Sequence, residues 1–281
     1  MGDGYDERTC IGPVKRQNFF SILYEDGDII AVNKASGISV GGERWEENVP
    51  RLDRVLADAL GGAAAGGVET AAPPGTGRRN RLYTVHRIDK ETSGLVVFAK
   101  NAAAHRILSG AFESRGVKKI YTAVVHGKPL WPGGGLLCEL PLLPNGDKKH
   151  RTIVDKYRGK PSSTGFKLLV SAGNYSVIEA RPSTGRTHQI RVHLAALGHP
   201  VVCDPLYGKN AGTEKGVYLS SFKRKWRGDA FDEKPLLRRL GLHALELSLP
   251  AYGDGGLRLE APLPRDMGAL IRQIKKTAGV L

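Results

Sequence analysis

Two short runs of apolar residues near the start of the chain predict a β-hairpin. The runs cover residues 22–24 and 29–32, and Glu25-Asp26-Gly27-Asp28 separates them. Asp-Gly between two apolar runs is a strong signal for a tight turn between antiparallel strands. Further along, apolar residues repeat at helical spacing in residues 51–60, and this pattern predicts a helix.

A polar cluster that runs directly into an apolar stretch marks residues 83–100, YTVHRIDKETSGLVVFAK. The apolar part, residues 95–99, is typical of a buried strand. Polar side chains at the end of such a strand lie where active sites are often found. The cluster places one carboxylate, Asp89, close to one guanidinium, Arg87. We therefore take it as the candidate centre of the chemistry.

The rest of the chain shows groups of strand patterns with a few helix patterns between them. Residues 101–115 predict a helix that Asn101 caps and Gly116 ends. The other predicted elements are strands at 118–127, 151–157, 165–171, 175–181, 217–220, 240–249 and 257–261, helices at 187–197 and 267–276, and Pro/Gly-rich or irregular loops at 130–149 and 200–209. Strands grouped together with few βαβ alternations predict an α+β fold with a mixed, mostly antiparallel sheet.

Two segments lack a periodic apolar pattern. Residues 1–18 predict a flexible arm, and residues 61–79, rich in Gly, Ala and Pro, predict a loop insertion. The strands on both sides of the insertion fit one sheet. We therefore expect residues 19–281 to form a single catalytic domain.

The charge balance points to an anionic partner. The 281 residues include 42 Lys+Arg and 28 Asp+Glu, a net charge of +14. Such an excess is typical of proteins that bind nucleic acid or an acidic membrane surface. The three cysteines form no CxxC pair, which disfavours a zinc knuckle or disulfide framework. With no apolar run near ~18 residues, we expect a cytoplasmic protein without a membrane span.

A second polar stretch offers an anion site. Residues 181–186, RPSTGR, form a basic turn before a predicted helix whose first residues include His188, Gln189 and Arg191. Turn amides, a helix N-terminus and guanidinium groups together bind phosphate or carboxylate well. His188 and His193 are five residues apart with no Glu between them, so they do not match the HExxH zinc motif. We expect no metal.

Several ordered motifs resemble those of RluA-type pseudouridine synthases. They are HRID followed by TSGL and VVFAK, K-x-Y-x-A-x-V-x-G at residues 119–127, and RPSTGRTHQIRVHLAALGHPVVCDPLYG at residues 181–208. The resemblance implies the pseudouridine synthase fold, with flanking helices and a central RNA-binding cleft. It also implies isomerisation of uridine in ribosomal or transfer RNA to its C-glycoside, without a cofactor. No basic helical module of the S4 type is recognised before residue 19, and we expect a monomer.

The same resemblance assigns roles to individual residues. Asp89 is the implied catalytic carboxylate, Tyr121 packs on the base and helps to take the C5 proton, and Arg191 pairs with Asp89. Arg87 is expected to enter the RNA stack. The other implied RNA contacts are His86, Arg186, His188, Gln189 and Lys34. The sharpest structural expectation is an ion pair between Asp89 and Arg191, with the Tyr121 ring in the same pocket.

Two other functions compete with this interpretation. One is a non-catalytic RNA-binding protein that uses the same basic cleft. The other is a nucleoside or glycoside hydrolase, which would normally need two carboxylates where the motifs supply one. The basic runs at residues 148–151 and 223–227 are either RNA contacts or solvated loops, and Trp226 in the second would add a stacking surface.

Overall fold

The computed structural model describes residues 19–42, 49–61, 81–208, 216–223, 228, 232–250, 252–253 and 255–280. The predicted arm at 1–18, nearly all of the predicted insertion at 61–79, and most of the basic run at 223–227 lie outside these residues. Among the described residues, no helix is long and apolar enough to cross a membrane.

Strands and helices follow one another in an order typical of α+β proteins. The strands are β1 (Phe20–Glu25), β2 (Ile29–Lys34), β3 (Tyr83–Thr84), β4 (Ser93–Ala99), β5 (Lys118–His126), β6 (Gly135–Cys138), β7 (Leu142–Leu143), β8 (Ile153–Val154), β9 (Thr164–Ala172), β10 (Tyr175–Pro182), β11 (Leu242–Leu249) and β12 (Leu257–Glu260). The helices are α1 (Leu52–Ala59), α2 (Ala102–Glu113), α3 (Gln189–Ala196) and α4 (Arg265–Ala278).

One mixed sheet carries most of these strands. Its order is β1-β2-β4-β11-β5-β10-β9-β6, with β3 paired to β4 and β12 paired to β11. The pairs are antiparallel except for β4 and β11, which run parallel. Strands β7 and β8 form a separate antiparallel ribbon. The predicted α+β fold with a mixed, mostly antiparallel sheet is confirmed.

Strand β4 is buried on both faces, which explains its unbroken apolar run. Leu95, Val97 and Ala99 lie in the same apolar cluster as residues of α2. Val96 and Phe98 point the other way and lie in a cluster with residues of α1. Successive strand residues face opposite sides, so two helix-covered faces require apolar residues at every position. The polar cluster therefore ends at a strand fixed from both sides.

Gly94 permits the close approach of the parallel strands. Its φ of +117° lies in the region that favours glycine, and a Cβ there would overlap the backbone of Ala244 on β11. Ser93 and Gly94 pair with His243 and Ala244 at this point. The turn that carries Asp89 thus ends at the junction of β4 and β11.

Four local predictions are wrong. Residues 130–149, predicted as loop, include a 3-10 turn (Pro132–Gly134), β6 and β7, because distant β9 and β8 supply their partners. The strand predicted at residues 151–157 is shorter than expected, because only the two residues of β8 are in a strand. Residues 217–220 contain an isolated bridge from Val217 to Leu237 and the start of a 3-10 helix. Beyond the end of α2 at Glu113, Arg115 and not Gly116 adopts the left-handed conformation that stops the helix.

Candidate active site

A cleft of about 890 Å³ lies where the two polar stretches meet. Residues 85–92, before β4, form one wall, and residues 182–191, between β10 and α3, form another. Side chains of β5 line it between these walls. Its charged lining consists of Arg87, Lys90, Arg115, Lys119, Arg186 and Arg191, with the carboxylates Asp89, Glu91 and Glu113. The excess of cations suits a polyanionic ligand.

The expected ion pair between Asp89 and Arg191 is present. Nη1 of Arg191 donates to Oδ2 of Asp89 across 3.2 Å, although 102 residues separate them. The Arg191 side chain is 2% exposed, whereas that of Asp89 is 24% exposed. The carboxylate therefore faces the cleft while its cationic partner lies in the protein interior.

Asp204 fixes the other edge of the same guanidinium. Nε and Nη2 of Arg191 donate to its two carboxylate oxygens at 2.8 and 2.9 Å, the bidentate geometry that orients an arginine best. The backbone N–H groups of Leu206 and Tyr207 also donate to Asp204. Burial alone would raise the pKa of Asp204, but these hydrogen bonds and the charge of Arg191 hold it below its ordinary value.

Arg191 is thus a bridge between two carboxylates. Burial opposes its charge, but the hydrogen bonds and charge of Asp204, helped by Asp89, raise its pKa above the ordinary value. The ring of Tyr207 lies 5.3 Å from its guanidinium carbon. Sequence reasoning missed Asp204 as a site residue. The signal was its position in the VVCDPLYG motif, directly after three apolar residues that are all buried.

Tyr121 lies in the same cleft, as expected. It belongs to β5, which β11 and β10 hold on either side, and its half-buried ring lines the wall near Asp89. Burial, and to a smaller extent the charge of Asp89, raises the pKa of its phenol well above the ordinary value. The hydroxyl therefore stays protonated at neutral pH.

Lys34 is not an RNA contact, contrary to the prediction. Its side chain is one of the largest buried groups, and Nζ donates to the carbonyls of Ala35, Ile38 and Lys90 at 2.8–2.9 Å. Burial lowers its pKa to about 7. Because its three donors are used inside the protein, its role is to tie the end of β2 to the backbone beside Asp89.

Gln189 is also internal, so its predicted RNA contact is wrong. It is 4% exposed, and its amide oxygen accepts from the Thr184 hydroxyl and the Arg186 N–H. Its amide nitrogen donates to Ser163 and Thr164. These four hydrogen bonds hold the basic turn at residues 182–186 against β9.

His86 packs into the cleft wall. Its Nε2 accepts from the N–H of Val97 at 3.0 Å, and its ring stacks on Phe112 with centroids 4.6 Å apart. Burial, with a smaller contribution from Lys119, lowers its pKa to about 3, so the ring is neutral. These contacts are those of a residue that supports the turn rather than one that reaches for a phosphate.

The three remaining predicted RNA contacts also line the cleft. Arg87 is exposed there, and Arg186 is half-buried with Nε directed at the carbonyl of Pro161. His188 is half-buried, has a left-handed φ of 55°, and shares a hydrogen bond of 3.0 Å with the Tyr207 hydroxyl. Contact of these three side chains with RNA stays a prediction.

Histidine and cysteine side chains elsewhere in the described residues do not assemble a metal site. His193, fully buried, shares hydrogen bonds with the Leu140 carbonyl and the Thr164 hydroxyl. Cys138 and Cys203 are both buried, and the Cys203 thiol donates to the Leu237 carbonyl.

Comparisons with known proteins agree with the arrangement. The sequence model of a family described as RNA pseudouridylate synthase matches residues 28–196. Ribosomal large subunit pseudouridine synthase D of Neisseria meningitidis is 35% identical over 263 residues, or 92% of this chain and 62% of that protein. The synthase of the same name from Zymomonas mobilis is 32% identical over 260 residues, or 90% and 72%.

Solved structures give the same answer for the fold. The structure of human RNA pseudouridylate synthase domain containing 1 superposes with a TM-score of 0.63 at 26% identity, covering 87% of this chain and 84% of that one. The chain spans 62% and 72% of the length of the two curated relatives. The matched model, the relatives and the shared fold confirm the resemblance, and the chain belongs to the RNA pseudouridylate synthase family.

Proposed function

We propose that the chain converts uridine in RNA to pseudouridine, with Asp89 as the catalytic carboxylate. The observation that carries this proposal is the position of Asp89. Its carboxylate opens to a basic cleft, while a buried Arg191, itself clamped by Asp204, holds it from behind. A single oriented carboxylate suits cleavage of an N-glycosidic bond without net hydrolysis.

The reaction is an isomerisation, and its balance needs no other reactant. The bond between C1′ and N1 of the uridine breaks while Asp89 attacks the sugar or assists elimination. The freed uracil turns and C5 bonds to C1′, while the bond between C1′ and Asp89 breaks or, after elimination, the proton that Asp89 took from C2′ returns to the sugar. The C5 proton is then lost as N1 gains one. No electrons enter or leave, and no water is consumed.

Tyr121 and Arg191 support these steps in different ways. The Tyr121 ring offers the uracil a stacking face, and its protonated hydroxyl relays the C5 proton. Arg191 stabilises the charge of Asp89 through a geometry preorganised by Asp204, which is worth most in a site shielded from water.

The cationic lining of the cleft suits RNA rather than a free nucleoside. A uridine in folded RNA must leave its stack, at a cost of a few kcal/mol. Phosphate contacts from Lys90, Arg115 and Arg186 would offset that cost by releasing counterions. The exposed Arg87 side chain would enter the RNA stack and fill the space that the flipped uridine leaves. The names of the relatives favour large-subunit ribosomal RNA over transfer RNA as the target.

The products separate this proposal from its two rivals. RNA labelled with tritium at C5 of uridine is incubated with the protein, then digested and chromatographed. We expect tritium release with an equal amount of pseudouridine in the digest. Free uracil would favour a hydrolase, and binding without either product would favour a non-catalytic RNA-binding protein.

We also propose that residues 19–281 act as one catalytic unit, as a monomer in the cytoplasm. The support for one unit is the continuous sheet, whose edge strands are β1 and β6. It combines strands from the N-terminal part of the chain with β11 and β12 from the C-terminal part. Light scattering on the purified protein tests the monomer, and a dimeric mass would overturn it.

A further inference from the structure

The most exposed aromatic side chain among the described residues is at a loop tip outside the catalytic cleft. Tyr157 is 97% exposed. It belongs to residues 155–160, DKYRGK, which follow β8 at the edge of the small β7–β8 ribbon. Because the side chain is almost wholly exposed, both faces of its ring are accessible to a planar ligand.

The loop holds Tyr157 outward by a fixed turn. Oδ1 of Asp155 accepts from the N–H groups of Tyr157 and Arg158 at 3.0 and 2.9 Å, and Gly159 donates to the Asp155 carbonyl. Lys160 pairs with Leu142 through two backbone hydrogen bonds. The exposure of Tyr157 is therefore set by a closed turn, which lowers the entropic cost of using the ring as a contact.

The ribbon contacts the cleft at two points. At one end, the carbonyl of Pro161 accepts from Nε of Arg186 at 3.3 Å. At the other end, Nη1 of Arg151 donates to the carbonyl of Leu206 at 2.8 Å. Arg186 and Leu206 both line the cleft. Four residues span at most about 14 Å, so Tyr157 stands within a few nucleotides of Arg186.

Exposed cations neighbour Tyr157 along the chain, and one of them, Arg158, pairs with Asp155. Lys156, Arg158 and Lys160 are exposed next to Tyr157, and Lys148 and Lys149 are exposed at the other end of the ribbon. An aromatic face among cations is the arrangement that binds single-stranded nucleic acid, because bases stack on the ring while the cations contact phosphates. An apolar protein partner would not call for these charges.

We propose that Tyr157 stacks on an unpaired base of the substrate RNA outside the catalytic cleft, with Lys156 and Lys160 contacting the adjacent phosphates. This inference rests on the proposed function, since it takes the RNA in the cleft as its ligand. The loop then selects RNA that has an unpaired nucleotide at a fixed distance from the target uridine.

Binding of an unmodified transcript of large-subunit ribosomal RNA tests the inference. All proteins carry Asp89→Asn so that no turnover occurs. We expect Tyr157→Ala to weaken binding about tenfold, and Tyr157→Phe to leave it unchanged because the ring face remains. Leu130→Ala, which removes another exposed side chain (85%), is the matched control and should bind as the parent does.

Salt dependence separates the two kinds of contact. Lys156→Ala and Lys160→Ala should each reduce the slope of log K against log salt by about 0.7, whereas Tyr157→Ala should leave the slope unchanged. A transcript substituted with 5-iodouridine should photocrosslink to Tyr157.

Different results overturn the two proposals. If the protein with Asp89 intact forms pseudouridine, and Tyr157→Ala binds the transcript as tightly as its Asp89→Asn parent, the stacking inference is wrong and the proposed function stands. If the protein with Asp89 intact forms no pseudouridine in ribosomal or transfer RNA, the proposed function is wrong whatever Tyr157 does.

Discussion

Nη1 of Arg191 donates to the carboxylate of Asp89 across 3.2 Å, from a side chain that is almost wholly buried. The orientation of the Arg191 guanidinium is fixed, because its Nε and Nη2 donate to Asp204. The position of the candidate catalytic carboxylate is therefore decided by a second carboxylate that does not face the cleft.

Arg191→Lys should lower the rate constant of isomerisation about 100-fold while RNA binding stays near that of the parent. A lysine carries the charge but lacks the planar fork that reaches Asp204 and Asp89 at once. Single-turnover kinetics at saturating RNA, with a separate binding measurement, tests this. A rate equal to that of the parent would show that charge alone suffices.

Asp204→Asn should destabilise the protein by about 3–5 kcal/mol, since it leaves a buried guanidinium without its strongest partner. Because the pKa of Asp204 is below the ordinary 3.8, the unfolded state binds the proton more readily. The stabilisation is thus present above about pH 4 and lost as pH falls. Urea unfolding of parent and variant at pH 7 and at low pH tests this.

The control for Asp204→Asn is Asp147→Asn. Asp147 also pairs with an arginine, Arg151, but both side chains are partly exposed. The pair should therefore contribute far less, about 0–1 kcal/mol. Equal losses of unfolding free energy in the two variants would contradict the claim that the buried Asp204 stabilises the protein more than the partly exposed Asp147.

The stability of the parent relative to Lys34→Met should rise with pH between about 7 and 10.5. The folded pKa of Lys34 is about 7, against 10.5 for the ordinary value. In this window the unfolded state binds the proton and the folded state does not, so deprotonation favours folding. Unfolding free energies at pH 7 and 9 should show a relative gain of about 2–3 kcal/mol. No pH dependence of the difference would contradict a strongly depressed pKa.

Gly94→Ala should destabilise the protein more than Gly37→Ala. Both glycines have positive φ, +94° at Gly37 and +117° at Gly94, so both variants bear backbone strain of roughly 1–3 kcal/mol. A Cβ at Gly37 meets open space, whereas one at Gly94 overlaps Ala244 and separates β4 from β11. Denaturant unfolding measures both. Equal losses would mean that the strands tolerate the extra atom.

Local patterns predicted most of the elements that hold the site. Asp-Gly between apolar runs gave the β1–β2 hairpin, and Asn101 does cap α2 through the N–H of Ala104. The pairing of Asp89 with Arg191 followed from motif resemblance. It could not have been derived from spacing, because 102 residues separate the two.

What the sequence did not reveal depends on tertiary contacts. β6 and β7 lie in a Pro/Gly-rich segment. They form only because β9 and β8 supply the backbone hydrogen-bonding partners. Lys34 and Gln189 look like ligand contacts, since a polar residue in a turn has the same appearance whether its partner is RNA or backbone. Asp204 was overlooked because its importance lies in the orientation of Arg191, not in contact with the substrate.

The most direct test of the account is tritium release from C5-labelled uridine in RNA by Asp89→Asn. Asparagine keeps the shape of the side chain and an oxygen that accepts from Arg191, so the fold should persist. The control is Glu91→Gln, which removes another carboxylate from the same cleft. We expect release to fall to background for Asp89→Asn and to stay close to the parent rate for Glu91→Gln. Release by Asp89→Asn near the parent rate would contradict the assignment of Asp89 as the catalytic carboxylate.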